Sequence, residues 1–483
     1  MTPVDSNPQQ QNGDSQGIDS QRISDENRAR LVKTDFSVPS IRLPRFPESS
    51  SSSAENNSLR SGYMGVKALL HRRLLQELES KRLLNSEESL IVQYIQDFAN
   101  RVLSTEELAL NHYERRILAD DLIQETLGVG PLASLMKDPS ITDILVNNHE
   151  SVYVERYGKL EKTPVRFNDE AHLIRIIQRL VARMGRRIDE SSPMVDARLA
   201  DGSRINATLP PISVNGPTLS IRRFSQIFYS FEKLEEMGMF SREMGIFLRS
   251  CVRSRMNILV SGGGGAGKST LVSALAQMIP DSERLITIED AVELQIRRDN
   301  LVRLETRSRN TEGAGEVTTR ELLVNSLRMR PDRIIVGEVR GAEALDMLQA
   351  MNTGHEGSMT TVHANGPKDA LTRLETMVLL AGTELPSRAI REQINSAIHV
   401  VLHVRRDEDG KRRIVSIGSL ERLDDAQFHI QELFRFQYVG KNQNQILGQF
   451  QACGQIPPFM DILQLHTPEL NSSIFQTFSQ VVQ

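Results

Sequence analysis

The chain passes from a long polar segment into segments with a regular apolar period. Residues 1 to 62 are rich in Ser, Gln, Asn, Asp and Pro, with a serine run from Ser49 to Ser53. Such a segment buries too little apolar surface to offset the entropy lost on ordering, which predicts a disordered tail. From Val66 onward leucines recur with helical spacing, and two more helices are predicted at Ser86–Leu103 and Tyr113–Leu127.

The apolar pattern then shortens to the period of β-strands. Ile144–Val146 and Val152–Val154, separated by a polar turn, predict a β-hairpin. Residues 63–224 are therefore expected to form an α+β domain, helical first and then sheet-containing. Its remaining elements are a helix and two strands, predicted at His172–Met184, Ser203–Thr208 and Thr218–Ile221.

From about Ser225 short apolar strands alternate with helical segments. This alternation is typical of a mostly parallel sheet covered by helices, so residues 225–424 are predicted to form one α/β domain. Residues 425–483 are predicted to be a C-terminal extension with three strand-like segments and a Gln-rich helical tail. The four strands of the α/β domain are predicted at Asn257–Val260, Leu285–Ile288, Arg333–Val336 and Ser358–Val362.

One loop of this α/β domain fits the phosphate-binding pattern G-x-x-x-x-G-K-[ST]. It lies between the first strand and a helix predicted at Thr270–Ala276. Its glycines let consecutive backbone N–H groups face phosphate oxygens, while the lysine reaches the β- and γ-phosphates and the hydroxyl binds Mg²⁺. The sequence thus predicts ATP and Mg²⁺ binding by Gly262, Gly263, Gly264, Gly265, Ala266, Gly267, Lys268, Ser269 and Thr270.

The same glycines also satisfy the dinucleotide pattern G-x-G-x-x-G, with Glu289 and Asp290 about twenty residues downstream. A dehydrogenase loop has no use for Lys268 and Ser269, and it needs no carboxylate after the third strand. Glu338 stands there, as a hydrolase requires. The nucleotide triphosphate hypothesis is therefore favoured.

Polar side chains follow each of the other three strands of the domain. Because carboxyl ends of parallel strands meet at one sheet edge, Glu289, Glu338 and His363 are expected to lie opposite the phosphate loop. Glu338 is predicted to activate the attacking water, and His363 to sense the γ-phosphate. Ser269, Glu289 and Glu338 are predicted to position Mg²⁺. Which carboxylate among Glu289, Asp290 and Glu293 is catalytic stays open.

Composition narrows the classes of partner. Of 483 residues, 58 are basic and 62 acidic, a net charge of −4, which does not suggest a protein that coats nucleic acid. The sequence contains no run of eighteen apolar residues, so no membrane-spanning helix is predicted. Any membrane contact is expected to pass through partners. Cys251 and Cys453 stand far apart and are expected to be reduced, as in a cytosolic protein.

Three motifs resemble those of the ATPases that drive type II and type IV secretion and type IV pili. Ile286–Glu293 looks like their aspartate box. Arg330–Gly341 resembles their atypical Walker B motif, with Gly337 in place of aspartate. Thr353–Ala364 resembles their histidine box. Asp138–Val146 and Arg187–Pro193 are similar to one branch, the CpaF/TadA-type ATPases of tight-adherence (Flp) pili. The resemblance covers roughly residues 65 to 460.

This resemblance implies a fold, a partner set and further site residues. It implies a RecA-like P-loop ATPase domain preceded by the α+β domain, a homohexameric ring, and an inner-membrane platform protein as partner on the cytoplasmic side. It also implies phosphate-binding arginines from the N-terminal domain. The candidates are Arg204 and Arg222 as catalytic residues and Arg223 as a nucleotide-binding residue, with Arg198 a weaker one.

Two other classes of protein share parts of this pattern. A RecA-like nucleic-acid translocase is disfavoured by the near-neutral charge and the 5% aromatic content. A non-hydrolysing, nucleotide-dependent scaffold is disfavoured because Lys268, Ser269 and Glu338 are all present. Arg340 is expected to pair with an acidic neighbour. The sequence leaves open whether the protein extends pili, retracts them or secretes protein.

Overall fold

The computed structural model describes most of the chain beyond residue 52. The chain divides into two compact units, Met1–Gly62 and Tyr63–Gln483. The predicted tail up to residue 52 and the predicted junctions at residues 224–225 and 424–425 lie outside the described residues, so these domain limits stay predictions. The described residues are 53–83, 86–108, 110–156, 158–223, 228–307, 309, 314–382, 384–421, 427–442, 445–468, 470–476 and 479–482.

Three helices come first, and the two predicted from the leucine-rich pattern downstream are confirmed within a few residues. The first helix begins at Ser53, inside the segment predicted as tail, and is anchored by the fully buried Leu74 and Leu78. Once such a helix is nucleated, each further turn forms cheaply, and no proline interrupts residues 48–80. The helices are α1 (Ser53–Ser80), α2 (Glu88–Thr105) and α3 (His112–Thr126).

A six-stranded antiparallel sheet follows, in the order β3-β2-β1-β6-β5-β4. The predicted hairpin is confirmed, with Val146 opposite Val152. One helix packs its apolar face, including the buried Leu173 and Ile177, into the same core as the strands. The elements are α4 (Ala133–Lys137), β1 (Ile141–Asn148), β2 (Ser151–Arg156), β3 (Lys159–Lys162), α5 (Glu170–Ala182), β4 (Met194–Arg198), β5 (Arg204–Thr208) and β6 (Thr218–Arg222).

The rest of the described chain builds a ten-stranded sheet, in the order β16-β15-β14-β13-β12-β7-β11-β10-β8-β9. The six strands from β12 to β9 run parallel, and those from β12 to β16 pair antiparallel. Its strands are β7 (Ile258–Gly262), β8 (Leu285–Glu289), β9 (Leu301–Glu305), β10 (Arg333–Val336), β11 (Met359–His363), β12 (Val400–Arg406), β13 (Arg412–Glu421), β14 (His429–Asn442), β15 (Gln445–Ala452) and β16 (Ser479–Val482).

Helices cover both faces of this sheet. Along β7, Ile258 and Val260 pack into one apolar core while Leu259 packs into the other, as a strand buried on both faces requires. The predicted α/β fold is therefore confirmed. The helices are α6 (Phe231–Glu236), α7 (Arg242–Arg253), α8 (Lys268–Ala276), α9 (Thr319–Ser326), α10 (Glu343–Asn352), α11 (Pro367–Leu380), α12 (Ser387–Ala397) and α13 (Met460–His466).

The C-terminal segment differs from the prediction in two ways. Two of the predicted strand-like segments, Phe428–Ile430 and Phe434–Val439, fall together at one continuous strand, β14, which begins at His429. The predicted helical tail is confirmed in part, because Met460–His466 form α13, whereas Ser479–Val482 form β16, which pairs with β15. An edge strand offers unpaired backbone groups that a polar segment can satisfy, and composition alone does not reveal such an edge.

Candidate active site

The phosphate loop connects β7 to α8, and its shape depends on glycine. Gly267 has a φ of 99° directly before α8 begins at Lys268, a backbone conformation that favours glycine. At Gly262 a Cβ atom would lie 2.2 Å from the carbonyl oxygen of Val404. The loop therefore passes too close to β12 for a larger residue, and its backbone leads directly into the N-terminus of α8.

Lys268 is buried and points its ammonium group back into the loop. Its Nζ donates hydrogen bonds to the carbonyl oxygens of Gly262 and Gly263, both at 2.9 Å. Burial lowers the pKa of Lys268, and the nearby carboxylates Glu338 and Glu293 oppose that shift. The charged ammonium is thus held by two neutral carbonyl oxygens, which phosphate oxygens can replace.

Glu289 fixes the turn after β8. Its Oε2 accepts hydrogen bonds from the backbone N–H groups of Glu293 (2.7 Å) and Leu294 (2.8 Å), and only 3% of the residue is exposed. Burial raises its pKa, although these two donors act in the opposite direction. At Gly337 a Cβ would come within 3.0 Å of the Glu289 Cγ, so a larger residue there would press on the Glu289 side chain.

Glu293 is the aspartate-box carboxylate that lies beside the predicted magnesium hydroxyl. Ser269 Oγ donates a hydrogen bond to Glu293 Oε2 over 3.2 Å, whereas Glu289 is engaged by the backbone. From the sequence, Glu289 and not Glu293 is predicted as the magnesium-binding carboxylate of this box. In the structure the Glu293 N–H donates to Glu289, and the Glu293 side chain turns towards Ser269 of α8.

Glu338 and His363 meet at the ends of β10 and β11, as predicted. His363 Nε2 lies 3.2 Å from Glu338 Oε1, and Arg340 Nη2 donates to Glu338 Oε2 over 2.7 Å. The expected pairing of Arg340 with an acidic neighbour is confirmed. Burial, reinforced by the charge of Lys268, lowers the pKa of His363, which favours the neutral imidazole at neutral pH.

The candidate arginines of the N-terminal sheet have different surroundings. Arg204 Nη2 lies 3.3 Å from both the Ala291 carbonyl oxygen and Glu293 Oε1, so it reaches the loop after β8. Arg222 pairs with Asp143 inside its own sheet, at 3.0 Å.

Arg223 and Arg198 are engaged elsewhere. Arg223 donates to the carbonyl oxygens of Asp138 and Ile141, and Arg198 pairs with Glu305. The structure thus brings Arg204 to the site and leaves Arg223 bound to the backbone of its own domain.

Sequence reasoning missed two arginines beside the phosphate loop. Arg412 Nε donates to the Gly265 carbonyl oxygen over 3.0 Å. Arg406, at the end of β12, binds Glu155 Oε1 over 3.1 Å and the Gly158 carbonyl oxygen in the N-terminal sheet. Because β12 is parallel to β7, its carboxyl end, where Arg406 stands, lies at the same sheet edge as the phosphate loop. Recognising β12 as a strand would have placed Arg406 there.

The chain is similar to proteins of bacterial secretion and transfer systems. A family described as "Type II/IV secretion system protein" matches residues 125–440. A Mycobacterium tuberculosis protein, provisionally named a conjugal transfer protein, is 40% identical over 306 residues, which cover 62% of this chain and 86% of the relative. The type IV secretion system protein VirB11 of Bartonella henselae is 32% identical over 329 residues, covering 59% and 90%.

Two solved structures of similar chains are bacterial ATPases. The VirB11 ATPase of the Brucella suis type IV secretion system, in complex with sulphate, is 33% identical; the match covers 60% of this chain and 95% of that one, with a TM-score of 0.33. The Legionella pneumophila ATPase DotB is 20% identical, with 61% and 80% covered and a TM-score of 0.43.

Proposed function

Because the chain belongs to the type II/IV secretion system protein family, we propose that it is the motor of a tight-adherence (Flp) pilus or of a closely related secretion system. The protein is an ATP hydrolase of the secretion ATPase superfamily. The observation that best supports a motor is the joining of the two sheets at one site. Arg204 from the N-terminal sheet contacts the Ala291–Glu293 loop, which also contacts the phosphate-loop residue Ser269.

Binding begins at the loop between β7 and α8. Backbone N–H groups and the N-terminus of α8 face the phosphates. Lys268 exchanges its two carbonyl partners for β- and γ-phosphate oxygens, and the buried ammonium gains two charged partners in place of neutral ones. Loss of Lys268 therefore removes the charge on which binding depends while the glycine loop stays intact.

The residues at this edge also fit a magnesium ion. The Ser269 hydroxyl and the Glu293 carboxylate lie 3.2 Å apart, and oxygen ligands of this kind are what Mg²⁺ prefers. Ser269, Glu293 and Glu338 would hold the ion. When bound, Mg²⁺ neutralises charge on the β- and γ-phosphates. The Glu289 carboxylate maintains the turn that presents Glu293.

Glu338 acts as the general base that deprotonates the attacking water. Its two oxygens face Arg340 and His363, and each oxygen has a second acceptor site that can bind the attacking water. Neutral His363 can donate Nε2–H to Glu338 or to the γ-phosphate. A shift of this donor to the γ-phosphate would make Glu338 a stronger base when ATP is bound.

Closure of the two domains completes the site. Negative charge develops on the far side of the γ-phosphate in the transition state, and an arginine there can accelerate transfer by about 10³–10⁵-fold. Arg204 is the nearest N-terminal candidate, and Arg222 can follow if it leaves Asp143. Repeated closure and opening around a homohexameric ring would deliver motion to an inner-membrane platform protein.

The assignment to the tight-adherence branch rests on the segments Asp138–Val146 and Arg187–Pro193. The names of relatives in conjugal transfer favour a second candidate, the motor of a conjugative type IV secretion system, with the same ATP chemistry. In either case we place the protein in the cytoplasm at the inner membrane. No helix in the described part of the chain is long and apolar enough to cross a bilayer.

A complementation experiment separates the two candidates. The gene is deleted in the source organism and restored as the wild type, as Lys268→Ala or as Lys368→Ala, a control at an exposed lysine of α11. We expect surface pili to return with the wild type and the control but not with Lys268→Ala. Restored conjugation frequency without any pilus phenotype would overturn the pilus assignment and support the conjugative one.

A further inference from the structure

Away from the ATP site, three buried side chains from three helices converge where the helices meet the N-terminal sheet. They are His71 of α1, Glu125 of α3 and His172 of α5, which are 5%, 4% and 1% exposed. Each offers one nitrogen or oxygen atom, and these three atoms lie within 4.8 Å of one another. Nothing in the ATPase mechanism uses this cluster.

The converging atoms lack well-formed hydrogen bonds to other described residues. His71 Nε2, Glu125 Oε2 and His172 Nε2 are all inaccessible to solvent and unsatisfied. His172 Nε2 and Glu125 Oε2 are 3.1 Å apart, a close contact that is not aligned as a hydrogen bond. Buried polar atoms almost always have a partner, so three unsatisfied atoms facing one point indicate a missing one.

We propose that His71, Glu125 and His172 bind a divalent transition-metal ion, and that zinc is the ion they fit best. Two imidazole nitrogens and one carboxylate oxygen form a ligand set that zinc accepts, with a water molecule or a further group as the fourth ligand. Harder ions such as Mg²⁺ and Ca²⁺ prefer oxygen ligands alone, which this cluster does not provide.

The surroundings leave the required atoms available. Lys67 Nζ binds Glu125 Oε1 over 2.8 Å, which leaves Oε2 for the ion. At Gly130, which has a φ of 59°, a Cβ would lie 2.4 Å from Ile176 Cδ1 and 3.1 Å from Glu125 Oε2, so a larger residue would crowd both side chains. His172 Nδ1 accepts a long, 3.3 Å hydrogen bond from Asn168 N–H. Coordination through Nε2 would place the ring proton on Nδ1, so this long hydrogen bond from Asn168 would be lost when the metal binds.

The ion would tie the helical segment to the sheet. Its ligands come from α1, α3 and α5, and α5 packs into the core of the N-terminal sheet. Metal binding would therefore hold α1 and α3 against this domain, with a stability that depends on the metal concentration. The proposal does not depend on the pilus assignment, because it concerns another group of residues.

The test measures metal bound to the full-length protein. Untagged protein is purified without nucleotide or Mg²⁺, exposed to zinc, freed of excess metal and measured by elemental analysis. We expect about one tightly bound zinc per chain for the wild type. His71→Gln should lose it, whereas the matched control His112→Gln, at the exposed start of α3, should keep it.

Cobalt substitution and thermal unfolding of the wild type keep the test decisive if His71→Gln does not fold. Bound Co²⁺ should give visible absorption bands typical of nitrogen and oxygen ligands, and zinc should raise the unfolding temperature by about 5 °C or more. Equal zinc content in His71→Gln and His112→Gln would overturn the proposal. An unfolding temperature of the wild type that does not change with added zinc would overturn it too.

Discussion

The carboxyl edge of the parallel sheet and the facing edge of the antiparallel N-terminal sheet contribute to one site in different ways. In the parallel sheet the chemical groups stand on the ends of buried strands and are themselves shielded, with Glu289 3% and Lys268 7% exposed. In the N-terminal sheet the candidate side chains are more open, and the Arg222 side chain is 67% exposed. One sheet holds its groups in place, and the other presents cations that can move.

The contacts between the two sheets fit that division. Arg204 with Glu293, Arg406 with Glu155 and Arg198 with Glu305 are ion pairs between partly exposed side chains. Exposed pairs of this kind typically stabilise by about 0–1 kcal/mol each. Such contacts can be exchanged during a catalytic cycle, whereas breaking the hydrogen bonds of Glu289 would leave a buried carboxylate oxygen without a partner.

The largest effect is expected for Lys268→Ala, which removes one of the buried groups of the parallel sheet. Loss of the buried ammonium removes the only charge that the phosphate loop itself presents to the β- and γ-phosphates, so both ATP binding and turnover should be lost. Equilibrium binding of a fluorescent ATP analogue and phosphate release measure the two quantities. Near-normal hydrolysis would mean that the site is misassigned. Lys368→Ala is the control.

Glu338→Gln should separate binding from chemistry. The amide keeps the shape of the side chain but cannot accept a proton from water, so turnover should fall by about 10²–10⁴-fold while ATP still binds. Binding and steady-state hydrolysis are compared with those of Glu384→Gln, an exposed glutamate in the same domain. If ATP binding falls as much as turnover, Glu338 is mainly a magnesium ligand.

Arg406→Ala tests a contact between the two sheets without touching the predicted chemical groups. The change removes the bonds to Glu155 and the Gly158 carbonyl oxygen, beside Gly265 of the phosphate loop. We expect turnover to fall by roughly tenfold, with thermal stability lowered by only about 1 kcal/mol. A drop in stability with unchanged turnover would assign Arg406 a purely structural role.

His363→Ala should have the smallest effect of the four. The imidazole contacts Glu338 but does not accept the proton of water in this account, so its loss should slow turnover by about tenfold or less. Steady-state kinetics at saturating ATP decide the point. A loss as deep as that of Glu338→Gln would show that the two side chains act as one catalytic unit.

Much of the parallel-sheet side could be predicted from the sequence, because buried strands and the phosphate loop have strong local patterns. That Glu293, and not Glu289, faces the Ser269 hydroxyl could not be predicted, since it depends on two backbone hydrogen bonds in one turn. Arg406 and Arg412 were missed because β12 and β13 were not recognised as strands. The different surroundings of Arg204 and Arg223 arise from packing between distant segments, which local patterns do not contain.

We propose that hydrolysis requires an arginine from the N-terminal sheet. The most direct test compares the turnover number and ATP affinity of Arg204→Ala with those of Arg166→Ala, an exposed arginine of the same domain. We predict that Arg204→Ala lowers turnover at saturating ATP by about 10²-fold or more, with ATP affinity and thermal stability little changed. Wild-type turnover in Arg204→Ala would contradict this role for Arg204. If Arg222→Ala also keeps full turnover, the ATPase domain is self-contained.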